Sequence, residues 1–163
     1  MDPADVVTSG MMPNGAETCD APRCPAEREE GNSTMEPGRD ACPAVVRASK
    51  ELPFQTVAGG ERAMMQVLIG PRDGAPNFAL RRFRMEAGGG MPLHTNSVEH
   101  EQYVLTGRGR VSLGDQVHEV QAGDVLFIPA GVPHSYEVLK GPFEFLCIVP
   151  NRADEVRIVN EPH

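Results

Sequence analysis

Two glycine-bounded stretches decide the fold of this chain: GGGMPLHTNSVEHEQYVLTG at residues 88–107 and GDVLFIPAGVPH at residues 123–134. They contain three of the five histidines, His94, His100 and His134. Side chains alternate between the two faces of a strand, so His94 and Asn96 point the same way, and a short turn brings His100 back on the neighbouring strand. A later hairpin delivers His134. The pattern predicts three converging imidazoles, a donor set suited to a transition metal.

The sequence on either side consists of short β-like runs between Gly and Pro turns. We predict strands at 64–69, 78–85, 101–105, 109–113, 116–120, 125–129, 134–138, 143–149 and 156–159. The turn signals between them include Gly88-Gly89-Gly90, Gly114-Asp115, Gly123-Asp124 and Gly141-Pro142. Eight or nine short strands predict an all-β, closed or nearly closed antiparallel barrel or jelly roll, because closure hides strand edges.

Composition divides the chain near residue 50. Residues 1–50 contain no Phe, Tyr, Trp, Leu or Ile, and a segment without large apolar side chains cannot offset its ordering entropy by burial. We therefore predict a disordered or loosely packed tail at 1–50 and one folded domain at 51–163. The tail cysteines lack the spacing of a zinc site and are expected to be free thiols: Cys19, Cys24 and Cys42.

The charge and hydropathy of the chain restrict its partners. The formal net charge is -8 at pH 7, whereas a nucleic-acid surface needs clustered Lys and Arg. No run of about 18 apolar residues is present, and the first 30 residues carry acids and prolines where a secretory signal would be apolar. We expect a cytoplasmic protein that binds small molecules, and neither nucleic acid nor membranes.

The first stretch resembles the first motif of the cupins, which reads Gly, five residues, His-x-His, three or four residues, Glu, six residues, Gly. Gly88, His94 and Gly107 fall on that spacing, with Asn96 at the second His and His100 at the Glu.

The second stretch resembles the second cupin motif, which reads Gly, five residues, Pro-x-Gly, two residues, His, three residues, Asn. Gly123, Pro129, Gly131 and His134 match it, and Val138 replaces the Asn. Together the motifs imply a single-domain cupin barrel, but they do not identify a reaction, because cupins have many activities.

A closer resemblance, over roughly residues 64–150, is to the compact manganese monocupins, which replace the motif Glu with His and so have four His ligands. It implies that His94, His100 and His134 bind one divalent transition metal ion. Asn96 takes the fourth position, as a weak amide ligand or as a partner of metal-bound water, and we favour the ligand. The resemblance favours Mn or Fe, with Zn, Ni and Cu as alternatives.

The neighbouring strands supply a candidate pocket. Arg81 shares a strand face with Phe83 and Met85, and the resemblance also implies that it lies in the pocket. A buried Arg needs an anion, so Arg81 is our candidate catalytic residue, binding a substrate carboxylate; a surface ion pair at the rim is the alternative. The other predicted pocket residues are Met91, Gln102, Phe145 and Cys147.

Three neutral imidazoles without a carboxylate would leave the ion its full charge, which favours an anionic substrate or an enolate. We predict a metal-dependent oxidoreductase of the dioxygenase type that acts on a small anionic or oxygen-rich compound. One alternative is a sugar or keto-acid isomerase using Tyr136, Glu137 or Gln102 for proton transfer, and another is a non-catalytic small-molecule or sugar-binding module. The resemblance implies a homodimer paired through residues 64–69. We interpret His118 and His163 as ordinary surface or packed residues.

Overall fold

A computed structural model describes residues 43–159, and these form an all-β fold, as predicted. The eight strands are β1 (Gln55–Thr56), β2 (Glu61–Ile69), β3 (Phe78–Asn96), β4 (His100–Leu113), β5 (Gln116–Gln121), β6 (Val125–Ile128), β7 (His134–Pro150) and β8 (Val156–Ile158). Two short 3-10 helices, Ser49–Glu51 and Pro71–Asp73, complete the described elements. No helix within 43–159 has the length and apolar character to cross a membrane.

Most of the predicted tail lies outside the described residues, together with Cys19, Cys24, Cys42 and His163. The part that is described contacts β2. Arg47 donates to the Leu68 carbonyl (2.7 Å) and to the Asp73 carboxylate (2.8 Å). The buried Gln66 side chain donates to the carbonyls of Ser49 and Leu52, so residues 47–52 are held against the outside of the sheet.

The strands form one antiparallel network in the order β1-β2-β3-β7-β4-β5, with β6 paired to β4 and β8 to β3. The long strands β3, β4 and β7 lie at its centre and bend through both halves of the jelly roll. Within the described chain the ladder ends at β1 and β5 and is not closed by hydrogen bonds. The fold is therefore the predicted jelly-roll barrel, whose sheet is nearly but not fully closed.

The predicted strand breaks at several glycines are wrong, because these glycines lie inside the long strands. β3 continues through Gly88-Gly89-Gly90, β4 through Gly107, and β7 through Gly141. A Cβ on Gly90 would lie 2.2 Å from the Tyr136 carbonyl oxygen. Glycine therefore permits backbones to approach closely where the strands bend and shift register, and it does not mark hairpins there.

The core fills the interior between the strands. Its side chains come from alternate positions, as the period of a half-buried strand requires; on β7 the residues Phe143, Phe145, Cys147 and Val149 are all buried. Phe145 stacks on Phe83 with ring centroids 5.1 Å apart. The polar residues buried among these apolar side chains form the site described next.

Candidate metal centre and substrate pocket

The three predicted histidines lie together, one from each long strand. The ring centroid of His134 on β7 is 4.1 Å from that of His94 on β3 and 5.7 Å from that of His100 on β4. All three are buried. Nδ1 of His94 donates to the Pro92 carbonyl (2.8 Å), and Nδ1 of His134 to the Val132 carbonyl (2.9 Å). A carbonyl only accepts, so in both rings Nε2 is left with a free lone pair.

Several buried polar atoms of this cluster lack a partner. Nε2 of His100, Nε2 of His134 and Oδ1 of Asn96 are buried without a hydrogen bond, an arrangement that is costly unless something binds them. Burial lowers the pKa of His134 to about 4 and lowers that of His94, so both rings are in the neutral form that binds metals. The type of donor and its burial therefore fit a transition metal ion.

The cluster is not a finished ligand shell. Within residues 43–159, no three His, Cys, Asp or Glu side chains are gathered closely enough to hold an ion. The fourth predicted ligand, Asn96, is an amide, and its Nδ2 already donates to a carboxylate. The structure thus brings the predicted ligands into one buried cluster but leaves their coordination open.

That carboxylate belongs to Asp154, in the segment between β7 and β8, and it was not predicted from the sequence. It accepts hydrogen bonds from Asn96 Nδ2 (2.6 Å) and from the Ser97 backbone N–H (3.0 Å). Its Oδ2 lies 3.8 Å from His100 Nε2. Burial raises the pKa of Asp154, but the contacts with His100 and Asn96 outweigh this and hold the pKa below its usual value.

A carboxylate thus lies beside the predicted histidine cluster, where none was expected from the sequence. No sequence pattern pointed to Asp154, because it is 58 residues from Asn96 and lies outside both histidine stretches. Only the pairing of β8 with the end of β3, which sets Val156 opposite Asn96, brings the two together.

Arg81 reaches toward the interior, in contrast to its neighbours on β3. Its guanidinium lies 5.3 Å from the Phe83 ring centroid, and its Nη2 lies 3.5 Å from the Cys147 sulfur. Its Nε is buried and has no hydrogen-bond partner. Arg82, on the opposite face, forms an ion pair with Glu144. Arg81 is thus left with a buried donor that an anion could accept from.

The remaining pocket candidates connect Arg81 to the histidines. Gln102 Nε2 donates to the Tyr136 hydroxyl (2.7 Å) and lies 3.9 Å from the Cys147 sulfur. The Tyr136 ring stacks on Phe145 (5.4 Å) and meets His134 edge-on (5.9 Å). Burial raises the pKa of Tyr136 and of Cys147, so both stay neutral at physiological pH.

Met91 is also buried and stands opposite Tyr136 in the β3–β7 register. His118 is exposed on β5, away from the cluster. Val138, at the Asn position of the second motif, is a buried apolar residue.

Comparison with known proteins agrees with this fold. The cupin domain family model matches residues 81–149. The polyketide cyclase RemF from Streptomyces resistomycificus is 30% identical, over 74% of this chain and 89% of that one, with a TM-score of 0.68. A cupin 2 domain-containing protein from Halorhodospira halophila is also 30% identical, over 61% of this chain and 71% of that one, with a TM-score of 0.56.

Among curated proteins, oxalate decarboxylase OxdC from Bacillus subtilis is 30% identical over 77 residues, which are 44% of this chain and 20% of the decarboxylase. The chain spans less than half the length of the curated relatives it matches. The fold and the two motifs point to the same family as the family model. The chain also covers more than two thirds of two solved structures at 30% identity. The chain therefore belongs to the cupin superfamily.

Proposed function

We propose that the chain is a metal-dependent enzyme that acts on a small anionic, oxygen-rich compound. One observation carries this proposal. Two ring nitrogens that can bind a cation, His100 Nε2 and His134 Nε2, are buried without a partner, and so is one N–H group that can donate a hydrogen bond to an anion, at Arg81 Nε. Unpaired buried polar atoms of both kinds are expected where a ligand completes them.

His94, His100 and His134 would hold one divalent ion, with Mn or Fe favoured, and Asn96 would contribute its amide oxygen. When bound, such an ion supplies a Lewis acid that stabilises negative charge on substrate oxygens. The comparison with a manganese-containing structure of Bacillus subtilis oxalate decarboxylase, at 24% identity, concerns the fold alone. The preference for Mn or Fe rests on the motif resemblance.

The other side chains would bind and orient the substrate. Arg81 Nε–H would donate to a carboxylate, which fixes the anionic end of the substrate away from the histidines. Phe83, which lies against the guanidinium, and Phe145, stacked on it, would form an apolar wall that keeps water away from the bound substrate. Tyr136, held by Gln102, keeps its proton and can donate it in a hydrogen bond to a substrate oxygen.

For the reaction class we propose oxidation of the dioxygenase type, because a ligand set of three neutral imidazoles would leave coordination positions open for oxygen ligands. The named relatives support the substrate class, since one is an oxalate decarboxylase, and oxalate is a small carboxylate. They also make a redox-neutral reaction on a carboxylate the second candidate.

Isomerisation has less support. Glu137 is exposed and pairs with Arg110, the pKa of Tyr136 is raised, and Gln102 does not titrate, so none of the three suits proton transfer at neutral pH.

The test is metal content followed by gas exchange. We expect protein purified without added metal to carry Mn or Fe by elemental analysis, and to consume dioxygen with at least one member of a panel of small dicarboxylates and diketones. Release of carbon dioxide without oxygen uptake would select the redox-neutral candidate. If the protein binds no Mn or Fe even after loading, the proposal fails and the non-catalytic binding module takes its place.

We further propose a cytoplasmic homodimer paired through β2. The exposed side chains of Met64 and Val67 on β2 support the pairing, as does the groove that Val45, Val46, Leu68 and Ile69 line beside it. The buried free thiol of Cys147 fits a reducing compartment. Light scattering should give twice the 17.6 kDa of the chain, and a monomer at micromolar concentration would reject the pairing.

A further inference from the structure

We propose that Asp154 completes the metal centre, supplying the carboxylate that the first motif lacks and fixing Asn96 so that its amide oxygen is the free donor. This inference rests on the proposed function, because it needs an ion bound at the histidine cluster. Neither the two motifs nor the predicted ligand set includes Asp154.

The hydrogen bond between the two side chains determines the orientation of the amide. An ionised carboxylate accepts only, so it selects the orientation in which Asn96 Nδ2 faces Asp154 Oδ2, at 2.6 Å. Asn96 Oδ1 is then left buried and without a partner. An amide nitrogen is not a metal ligand and an amide oxygen is, so Asp154 determines whether Asn96 can serve as one.

The position of the carboxylate also suits direct contact with the ion. Asp154 Oδ2 lies 3.8 Å from His100 Nε2, and that nitrogen has no hydrogen-bond partner. Imidazole and carboxylate ligands each bind at about 2.1 Å, so two of them span up to about 4.2 Å across one ion. A single ion can therefore touch both atoms without a large movement of either.

The fold holds Asp154 in this place from several sides. The Ser97 N–H donates to Asp154 Oδ1 (3.0 Å). Ser97 is in turn tied to Glu155 twice, since the Glu155 N–H donates to Ser97 Oγ (2.9 Å) and the Ser97 N–H also lies 3.2 Å from the Glu155 carbonyl oxygen. The segment carrying Asp154 is thus clamped to the end of β3, beside Asn96.

The carboxylate changes the chemistry expected of the centre. One carboxylate reduces the net charge of a divalent ion with neutral ligands from +2 to +1. Carboxylate and amide oxygens are hard donors, which shift the preference from Cu and Zn toward Mn. Asp154 thereby gives the chain a structural reason for the metal preference that the motif resemblance implies.

The test compares three variants loaded with Mn(II). Asp154→Asn keeps an oxygen that accepts from the Ser97 N–H, but it places an NH2 group opposite the NH2 group of Asn96. This variant therefore loses the negative charge at position 154 and also the hydrogen bond that orients Asn96. Asp154→Glu retains the charge. Glu155→Gln is the matched control, since Glu155 is the adjacent acid, its bonds to Ser97 come from its backbone, and its side chain pairs only with the exposed Arg157 among the described residues.

We measure Mn(II) affinity by chelator competition and the Mn(II) site by electron paramagnetic resonance. We expect Asp154→Asn to weaken binding at least 10-fold and to alter the spectrum, Asp154→Glu to recover part of the affinity, and Glu155→Gln to stay within about twofold of wild type. Circular dichroism of the metal-free proteins checks the fold. If Asp154→Asn does not fold, Asp154→Glu decides, because its spectrum must differ from wild type if Asp154 touches the ion.

Two results would overturn the inference and are distinguishable. If wild type binds Mn(II) while the folded Asp154→Asn protein has the same affinity and spectrum, Asp154 only docks its segment, and the proposed function stands. If wild type binds no ion, the proposed function and this inference fail together.

Discussion

Removal of the central histidine gives the most direct test of the proposed site. His134 is 1% exposed, its ring is close to both other histidine rings, and its Nε2 has no partner in the protein. His134→Ala removes that donor and also frees the Val132 carbonyl, which makes the metal-free protein less stable. Each variant must therefore be compared with its own metal-free form.

The expected change in Tm follows from the thermodynamic linkage between metal binding and unfolding. At a free metal concentration 100 times the dissociation constant, binding stabilises the wild type by about 2.7 kcal/mol. If loss of the ligand weakens binding about 100-fold, the same concentration stabilises the variant by only about 0.4 kcal/mol. At about 4 °C per kcal/mol for a domain of this size, the metal-dependent rise in Tm falls from about 11 °C to about 2 °C.

Differential scanning calorimetry with and without Mn(II) measures this rise. His118→Ala is the matched control, because His118 is exposed on β5 and should give the full wild-type rise. Equal metal-dependent rises in wild type, His118→Ala and His134→Ala would refute the assignment of the site.

Four further predictions test separate parts of the molecule. Asn96→His should bind Mn(II) more tightly than wild type by equilibrium dialysis, because one ring nitrogen can donate to Asp154 while the other binds the ion; weaker binding would exclude position 96 as a ligand. Arg81→Met should raise KM for a carboxylate substrate about 10- to 100-fold at unchanged metal content, since a charged hydrogen bond contributes about 1.5–3 kcal/mol. Arg82→Met, which alters the opposite face of β3, should leave KM unchanged. Phe145→Ala should cost about 3–5 kcal/mol in urea unfolding, because Phe145 stacks on both Phe83 and Tyr136, whereas Val117→Ala at an exposed position should stay within about 0.5 kcal/mol. Deletion of residues 1–42 should leave urea unfolding cooperative. Deletion of 1–52 should lower the free energy of unfolding by about 1–3 kcal/mol more, because the buried Gln66 side chain loses both of its acceptors.

The sequence predicted the positions of the strands better than their lengths. Short β-like runs between turn residues mark where β2, β5, β6 and β8 lie, because such runs and their bounding turns are local features of the sequence. The continuity of β3 through three glycines was missed. Glycine in a sequence is typical of a turn and equally of a close backbone approach, and only the position of Tyr136 on β7 distinguishes the two.

The candidate site was predictable to the extent that its residues lie in the two motif stretches. The spacing within the two motifs predicted that His94, His100 and His134 meet, and the pairing of β7 with β3 and β4 is what brings His134 to the other two. Asp154 was missed for the opposite reason, because an acid in a loop near the end of the chain has no local pattern that points to a site. Its position depends on long-range pairing of β8, which no local periodicity reports.

The contact between Gly90 and Tyr136 has a consequence for how sites of this kind vary among proteins. A side chain at position 90 would have to overlap a backbone oxygen, so we expect a substitution there to push β3 away from β7 in the same ladder that sets His94 opposite His134. A residue with no functional group therefore limits the chemistry as strictly as the histidines do. In distant homologues that retain every histidine, loss of this glycine should be accompanied by loss of the site.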